Sequence, residues 1–249
     1  HAVAMAAGLS KQGMVPVCAI FSTFLQRAYD MILHDVAIAG LHVVFAVDRA
    51  GLVGEDGKTH HGVFDVSFLR NVPGLAVLCP SNYAELSAML RYAVNEATGP
   101  IAVRYPRGGE GSFQSNRFNK DVFAVRLLRG YDVTFVTYGI LVNQAMSAST
   151  GISVDLIKLN AIHTLDMDLI ANSVARTHRL VVAEDCVEPG SVGSEILAEL
   201  EKRGIACHTR QINLGRTFST HGALQDLYAH YGLDAEGLHQ TLLEVLKVE

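Results

Sequence analysis

Apolar runs alternate with amphipathic stretches along almost the whole chain, the pattern of βαβ units around a mainly parallel sheet. Met14–Phe21 reads as the first strand. Ser22 and Thr23 are placed to cap a helix from about Phe24 to Ala39, which Gly40 would end. His42–Asp48 reads as a second buried strand, followed by a long glycine-rich loop through Ala50–Gly57. Leu75–Cys79 is the next strand. Asn82-x-x-Glu85 then forms a capping box for a helix reaching Ala97, and Ile101–Tyr105 closes this half as a strand.

From Gly108 to Lys120, glycine, serine, asparagine and glutamine dominate and apolar periodicity stops, so residues 110–120 read as a linker. Beyond it, strands are expected at Val133–Tyr138, Ser153–Leu159, Arg179–Glu184 and about Cys207–Leu214. Helices are expected at about Asp166–Arg176, Val192–Arg203, Ala223–Tyr231 and Ala235–Val248. The fold class is therefore α/β, with two consecutive domains at 1–109 and 121–249, each a mainly parallel sheet flanked by helices. One connection is unusually short. About a dozen residues separate Val133–Tyr138 from Ser153–Leu159, near the minimum for a parallel crossover, so either that helix is very short or residues are absent.

Composition narrows the classes. Hydrophobic residues make up 49% and charged ones 18%, which suits a globular chain with a sizeable core. Net charge is −5 and no basic stripe appears, so nucleic-acid binding has little support. No apolar stretch approaches the roughly 20 residues of a membrane span. Cys18, Cys79, Cys186 and Cys207 are scattered without metal-type spacing. Three lie in apolar runs and read as buried hydrophobes, which suits a reducing compartment, the cytoplasm. The chain opens at His1 with no initiator Met and is expected to be cut from a longer protein.

Three polar groups fall at predicted carboxyl ends of strands, where open α/β sheets bind ligands: Phe21–Phe24, Asp48–Gly62 and Arg104–Gly108. Asp48–Gly62 carries Asp48, Arg49, Glu55, Asp56, Lys58, His60 and His61. A solvated loop explains these charges; a long excursion with four glycines between buried strands argues for function instead. His60, His61 and Asp56 form a poor metal set, because neighbouring residues on an extended segment point oppositely. Arg104 and Arg107 are either surface-solvated or, with Arg49, a fork for a phosphate. Phe24 is a core aromatic or a ring that stacks on a flat heterocycle.

The strings Ser22-Thr23-Phe24-Leu25-Gln26-Arg27-Ala28-Tyr29-Asp30 and Asp48–Gly62, with Arg104-Tyr105-Pro106-Arg107-Gly108 and His1-Ala2-Val3, resemble the 1-deoxy-D-xylulose-5-phosphate synthase family. The resemblance is dense over residues 1–108 and looser beyond, as at Val182–Asp185 and Gly190–Gly193. Transketolases and 2-oxo-acid dehydrogenase beta subunits share the architecture, but are not expected to carry both strings. The family condenses pyruvate with D-glyceraldehyde 3-phosphate, releasing carbon dioxide, on thiamine diphosphate with magnesium. The resemblance implies that Phe24 stacks on the aminopyrimidine. It further implies that Arg49 and Arg107 grip the acceptor phosphate, that His60 faces the reacting carbons, and that Asp56 orients substrate. Arg27 takes a weaker, structural role. At Phe21 the family has a tyrosine whose hydroxyl contacts the phosphate; losing that bond costs about 1.5–3 kcal/mol. The family's diphosphate- and magnesium-binding Gly-Asp-Gly motif is absent from the chain, and its pyrimidine-protonating glutamate would lie just before His1. The chain alone is thus expected to be inactive and completed by an N-terminal domain in a homodimer. A split transketolase, a dehydrogenase beta subunit and a non-catalytic dimerisation module are the alternatives.

Overall fold

The computed structural model describes residues 1–247 and folds them around two sheets. The first contains β1 (Val17–Phe21), β2 (Val44–Asp48), β3 (Ala76–Leu78) and β4 (Ile101–Arg104), all parallel in the order β1-β2-β4-β3. The second contains β5 (Ala124–Leu128), β6 (Val133–Tyr138), β7 (Val154–Leu159), β8 (Arg179–Ala183) and β9 (His208–Ile212) in the order β5-β7-β6-β8-β9. Only β5 runs antiparallel, along one edge. Helices flank both sheets, so the α/β expectation holds. β2, β4, β6 and β7 are buried almost throughout, which is why their sequences read as continuous apolar runs rather than alternating ones.

Several elements depart from expectation. The stretch after β1 is not one α-helix. It passes through an α-turn at Ser22–Leu25, a 3-10 turn at Gln26–Ala28, an α-turn at Tyr29–Met31 and a π-helix at Ile32–Ala37. Leu25, Ala28, Ile32 and Val36 keep a buried face throughout, and apolar spacing alone does not report such changes of hydrogen bonding. Ser22 and Thr23 do not cap it. Phe21 holds the cap position, and Thr23 Oγ1 instead donates to the Thr59 carbonyl at 3.1 Å. The Asn82 side chain does accept from the Glu85 amide at 2.9 Å, but Glu85 spends its carboxylate elsewhere. It accepts from the amides of Ser81 (2.8 Å) and Arg117 (3.1 Å) and pairs with the buried Lys158 at 3.1 Å. The short crossover is closed by an eight-residue helix, Leu141–Ala148. Helices Ala2–Lys11 and Asp65–Arg70 and the edge strand β5 were not foreseen. The last helix runs over Ala235–Leu246; its expected end at Val248 lies outside the described residues.

The two sheets are joined by backbone. Cys79 N–H donates to Asn160 O at 2.9 Å and Ile162 N–H to Val77 O at 3.0 Å. One apolar cluster runs through both, from Phe45 and Val77 to Val136, Ile157 and Val182. Cys18, Cys79 and Cys186 are buried, and burial pushes the Cys79 thiol up to about 12, so it behaves as an inert hydrophobe. No helix among the described residues is long and apolar enough to cross a membrane.

Candidate active site

Phe21 sits opposite Asp48 in the β1–β2 register, and Val47 sits opposite Arg104 in β2–β4. The segments leaving these three strands therefore emerge together at one edge, the ligand-binding end of a parallel sheet. Asp48–Gly62 leaves and returns: Gly51 and Gly62 exchange both backbone hydrogen bonds at 2.8 Å, closing a compact loop. Leu52, Val53 and Val63 are buried at its root.

Arg49 adopts a left-handed φ of 57°, a costly conformation for a residue with a side chain. Its amide donates to Asp48 Oδ1 at 2.7 Å, and the next amide, Ala50, donates to Tyr105 O at 3.0 Å. Gly62 passes so close that a Cβ there would strike the Arg49 carbonyl and Ser22. The Arg49 guanidinium is thereby held 3.8 Å from the Phe21 ring centroid, a cation–π contact. It pairs with Asp48 at 2.5 Å and reaches Asp56 Oδ2 at 3.4 Å. Asp56 Oδ1 in turn binds Arg107 at 2.8 Å. One carboxylate thus ties two arginines together. Beside them opens a cavity of 320 Å³ lined by Arg49, Arg107, Asn82, Leu86, Tyr105 and Ile140, among others.

The aromatic side of the site adjoins this triad. Phe24 stacks on Phe21 with ring centroids 5.4 Å apart and planes at 13°. His60 meets Phe24 edge-on at 5.4 Å, and the Arg27 guanidinium lies 5.4 Å from the same ring. His60 Nδ1 is 3.0 Å from the Thr59 hydroxyl. The structure brings all seven expected side chains into one constellation: Phe21, Phe24, Arg27 and His60 on one side, Arg49, Asp56 and Arg107 on the other. The Phe21–Arg49 contact joins the two groups.

Arg104 is different. Neither reading of Arg104, surface-solvated or part of a phosphate fork with Arg107 and Arg49, is met, because its side chain turns back into the protein and is 3% exposed. It binds Asp65 at 2.9 Å and Asp185 at 3.0 Å. Burial works against its charge, but the two carboxylates outweigh burial and hold its pKa well above the ordinary value. A Cβ on Gly51 would collide with the Asp185 carboxylate, so the loop's root lies directly over this buried cluster.

His60 and His61 face opposite ways, His60 toward Phe24 and His61 into the protein at 4% exposure. The sequence weighed His61 only as a metal ligand. In the structure it accepts from the Val53 amide at 3.2 Å and contacts the Thr220 carbonyl at 2.9 Å. His221 contacts the Glu55 carbonyl at 3.1 Å. These links span 159 and 166 residues, and no local pattern could have announced them.

Two α/β domains with an aromatic–arginine site beyond the strand ends define a transketolase-like chain. Family models for the transketolase pyrimidine binding domain and the transketolase C-terminal domain match residues 1–109 and 124–238, and the chain belongs to this family. It is 43% identical over 252 residues to the 1-deoxy-D-xylulose-5-phosphate synthase of Chlorobium luteolum, covering 98% of this chain and 40% of that protein. It is 42% identical over 258 residues to the Gloeobacter violaceus synthase, covering 100% and 40%. The chain thus spans about 40% of the length of these curated relatives. Among solved structures, a split gene transketolase described as an inactive beta4 tetramer superimposes with a TM-score of 0.89 at 26% identity, covering 99% of this chain and 81% of that one. The transketolase from Leishmania mexicana shares the fold, with a TM-score of 0.76 at 20% identity over 99% of this chain and 36% of that one.

Proposed function

We propose that this chain supplies the pyrimidine-side half of a thiamine diphosphate-dependent synthase. The complete enzyme joins pyruvate to D-glyceraldehyde 3-phosphate, giving 1-deoxy-D-xylulose 5-phosphate and carbon dioxide. The observation that carries this reading is the convergence of Arg49 and Arg107 on one carboxylate beside the Phe24–His60 pair. Two guanidinium groups at this spacing suit a phosphate monoester, which each binds through paired N–H donors. Asp56 is then the internal counter-ion, turning from the arginines toward the acceptor's hydroxyls once phosphate arrives.

When bound, thiamine diphosphate supplies the decarboxylating, carbon-joining chemistry that no side chain here provides. The half-exposed Phe24 ring suits a flat heterocycle, and Arg27 over that ring keeps a supporting role. His60, its Nδ1 beside Thr59, has Nε2 left to hold or move a proton at the acceptor oxygen. The donor set does not fit the metal: among the described residues no three His, Cys, Asp or Glu side chains are grouped to hold one. Because the chain spans about 40% of the length of its curated relatives, we assign magnesium and the cofactor's diphosphate to an N-terminal domain of the complete protein, and the site to its homodimer.

A separately encoded transketolase half is the second reading, favoured by the split gene transketolase that matches 99% of the chain. Assays on the complete enzyme separate the two. Pyruvate and glyceraldehyde 3-phosphate should give deoxyxylulose phosphate with no further protein. A strict need for a ketose phosphate donor would establish the transketolase, and a need for a lipoyl domain the dehydrogenase.

A further inference from the structure

The loop that carries Asp56 and His60 is not held by its own domain alone. His61 Nδ1 accepts from the Val53 amide at 3.2 Å, and its Nε2 lies 2.9 Å from the Thr220 carbonyl in the C-terminal domain. A backbone amide only donates and a carbonyl only accepts. Both bonds form only when His61 is neutral with its proton on Nε2, so the two contacts fix its tautomer. One residue before His61 is His60, and one residue after Thr220 is His221, whose Nε2 lies 3.1 Å from the Glu55 carbonyl. Between these two struts, at Gly54, a Cβ would come within 2.9 Å of the Leu224 amide nitrogen. At Gly57 it would come within 3.1 Å of the His221 ring. Both glycines have positive φ, 66° and 78°, so close approach and backbone conformation each restrict these positions.

We infer that Thr220–Leu224 of the C-terminal domain is a positioning element of the active site, with His61 and His221 as the struts that set where Asp56 and His60 stand. His60 Nδ1 and the Thr59 hydroxyl are then the last links between the strut and the reacting groups. The inference rests on the proposed synthase reading only for its kinetic consequence; the clamp itself is geometric. It gives the C-terminal domain a part in catalysis. It also explains why a loop bearing Glu55, Asp56, Lys58 and His60 keeps one compact shape: its polar tip is gripped from the other domain.

The test uses two variants and two readouts. His61→Leu removes both hydrogen bonds, while His61→Gln retains an acceptor and a donor in one planar group. Amide hydrogen exchange on the 249-residue chain should show Val53–His60 protected in the wild type and in His61→Gln but exchanging faster in His61→Leu, with β6–β8 unchanged. Unchanged loop exchange in His61→Leu overturns the clamp. In the complete enzyme, His61→Leu should lower kcat by up to about 10²-fold, as small displacements of reacting groups do. The pyruvate KM should hold, and His61→Gln should recover most of the rate. Equal loss in both variants, or loss matching only the unfolded fraction, overturns the positioning role. If the wild-type enzyme forms no deoxyxylulose phosphate, the functional reading falls, and the exchange experiment still decides the clamp.

Discussion

Two charge clusters meet the loop that follows β2. At its root, Arg104 is one cation between two carboxylates, Asp65 and Asp185, with side chains 3%, 0% and 4% exposed. At its tip, Asp56 at 28% bridges Arg49 and Arg107 at 25% and 42%, and Arg49 also pairs with Asp48 at 27%. The chemistry is nearly the same and the setting inverts its meaning. Buried charges must be paired permanently, because exposing either partner to a low-dielectric interior is costly. Half-exposed charges are screened, and their pairing contributes little to stability, so one partner can be exchanged for a ligand. The root triad links the two domains; the tip cluster is the part we propose binds the acceptor phosphate.

Arg104→Met should have the largest effect in breaking this contrast, since it leaves two carboxylates facing each other in the core. A loss of about 3–5 kcal/mol in urea unfolding is expected. A loss under about 1 kcal/mol would mean that the cluster is wetter than its burial implies. His60→Ala should leave stability alone and lower kcat of the complete enzyme by about 10²-fold or more. A change confined to KM would remove it from proton transfer. Arg107→Ala should cost about 1.5–3 kcal/mol in acceptor kcat/KM, the value of a charged hydrogen bond. Stability should stay within about 0.5 kcal/mol. Equal effects on pyruvate and acceptor KM would contradict the phosphate role. Phe21→Tyr should act in the opposite direction. Its hydroxyl adds one bond to a charged group, about 1.5–3 kcal/mol, toward the acceptor phosphate while the ring still stacks on Arg49. An unchanged or weaker acceptor KM would show that no phosphate comes within its reach.

The sequence made the sheets legible because buried parallel strands leave continuous apolar runs, and β2, β4, β6 and β7 lie inside the segments so marked. Edge and short elements were not legible. β5, paired on one side only, has the mixed pattern Ala-Val-Arg-Leu-Leu, and Asp65–Arg70 is too short for periodicity to register. Phe21, Phe24, Arg49 and His60 could be singled out because they cluster just beyond strand ends and carry family strings. Arg104 could not be separated from Arg107 in that way. Three residues apart, one turns into Asp65 and Asp185 and the other out to Asp56, and the choice is made by partners 39 and 81 residues away from Arg104. The struts at Thr220 and His221 were hidden for the same reason: a backbone carbonyl has no signature in sequence.

The central claim is that this chain holds one half of an active site. Its most direct test is product formation from pyruvate and glyceraldehyde 3-phosphate with thiamine diphosphate and magnesium present. The purified 249-residue chain should be assayed alone and then mixed with the N-terminal part of its protein. No deoxyxylulose phosphate from the chain alone, and its appearance on mixing, is the predicted result; steady turnover by the chain alone would contradict it.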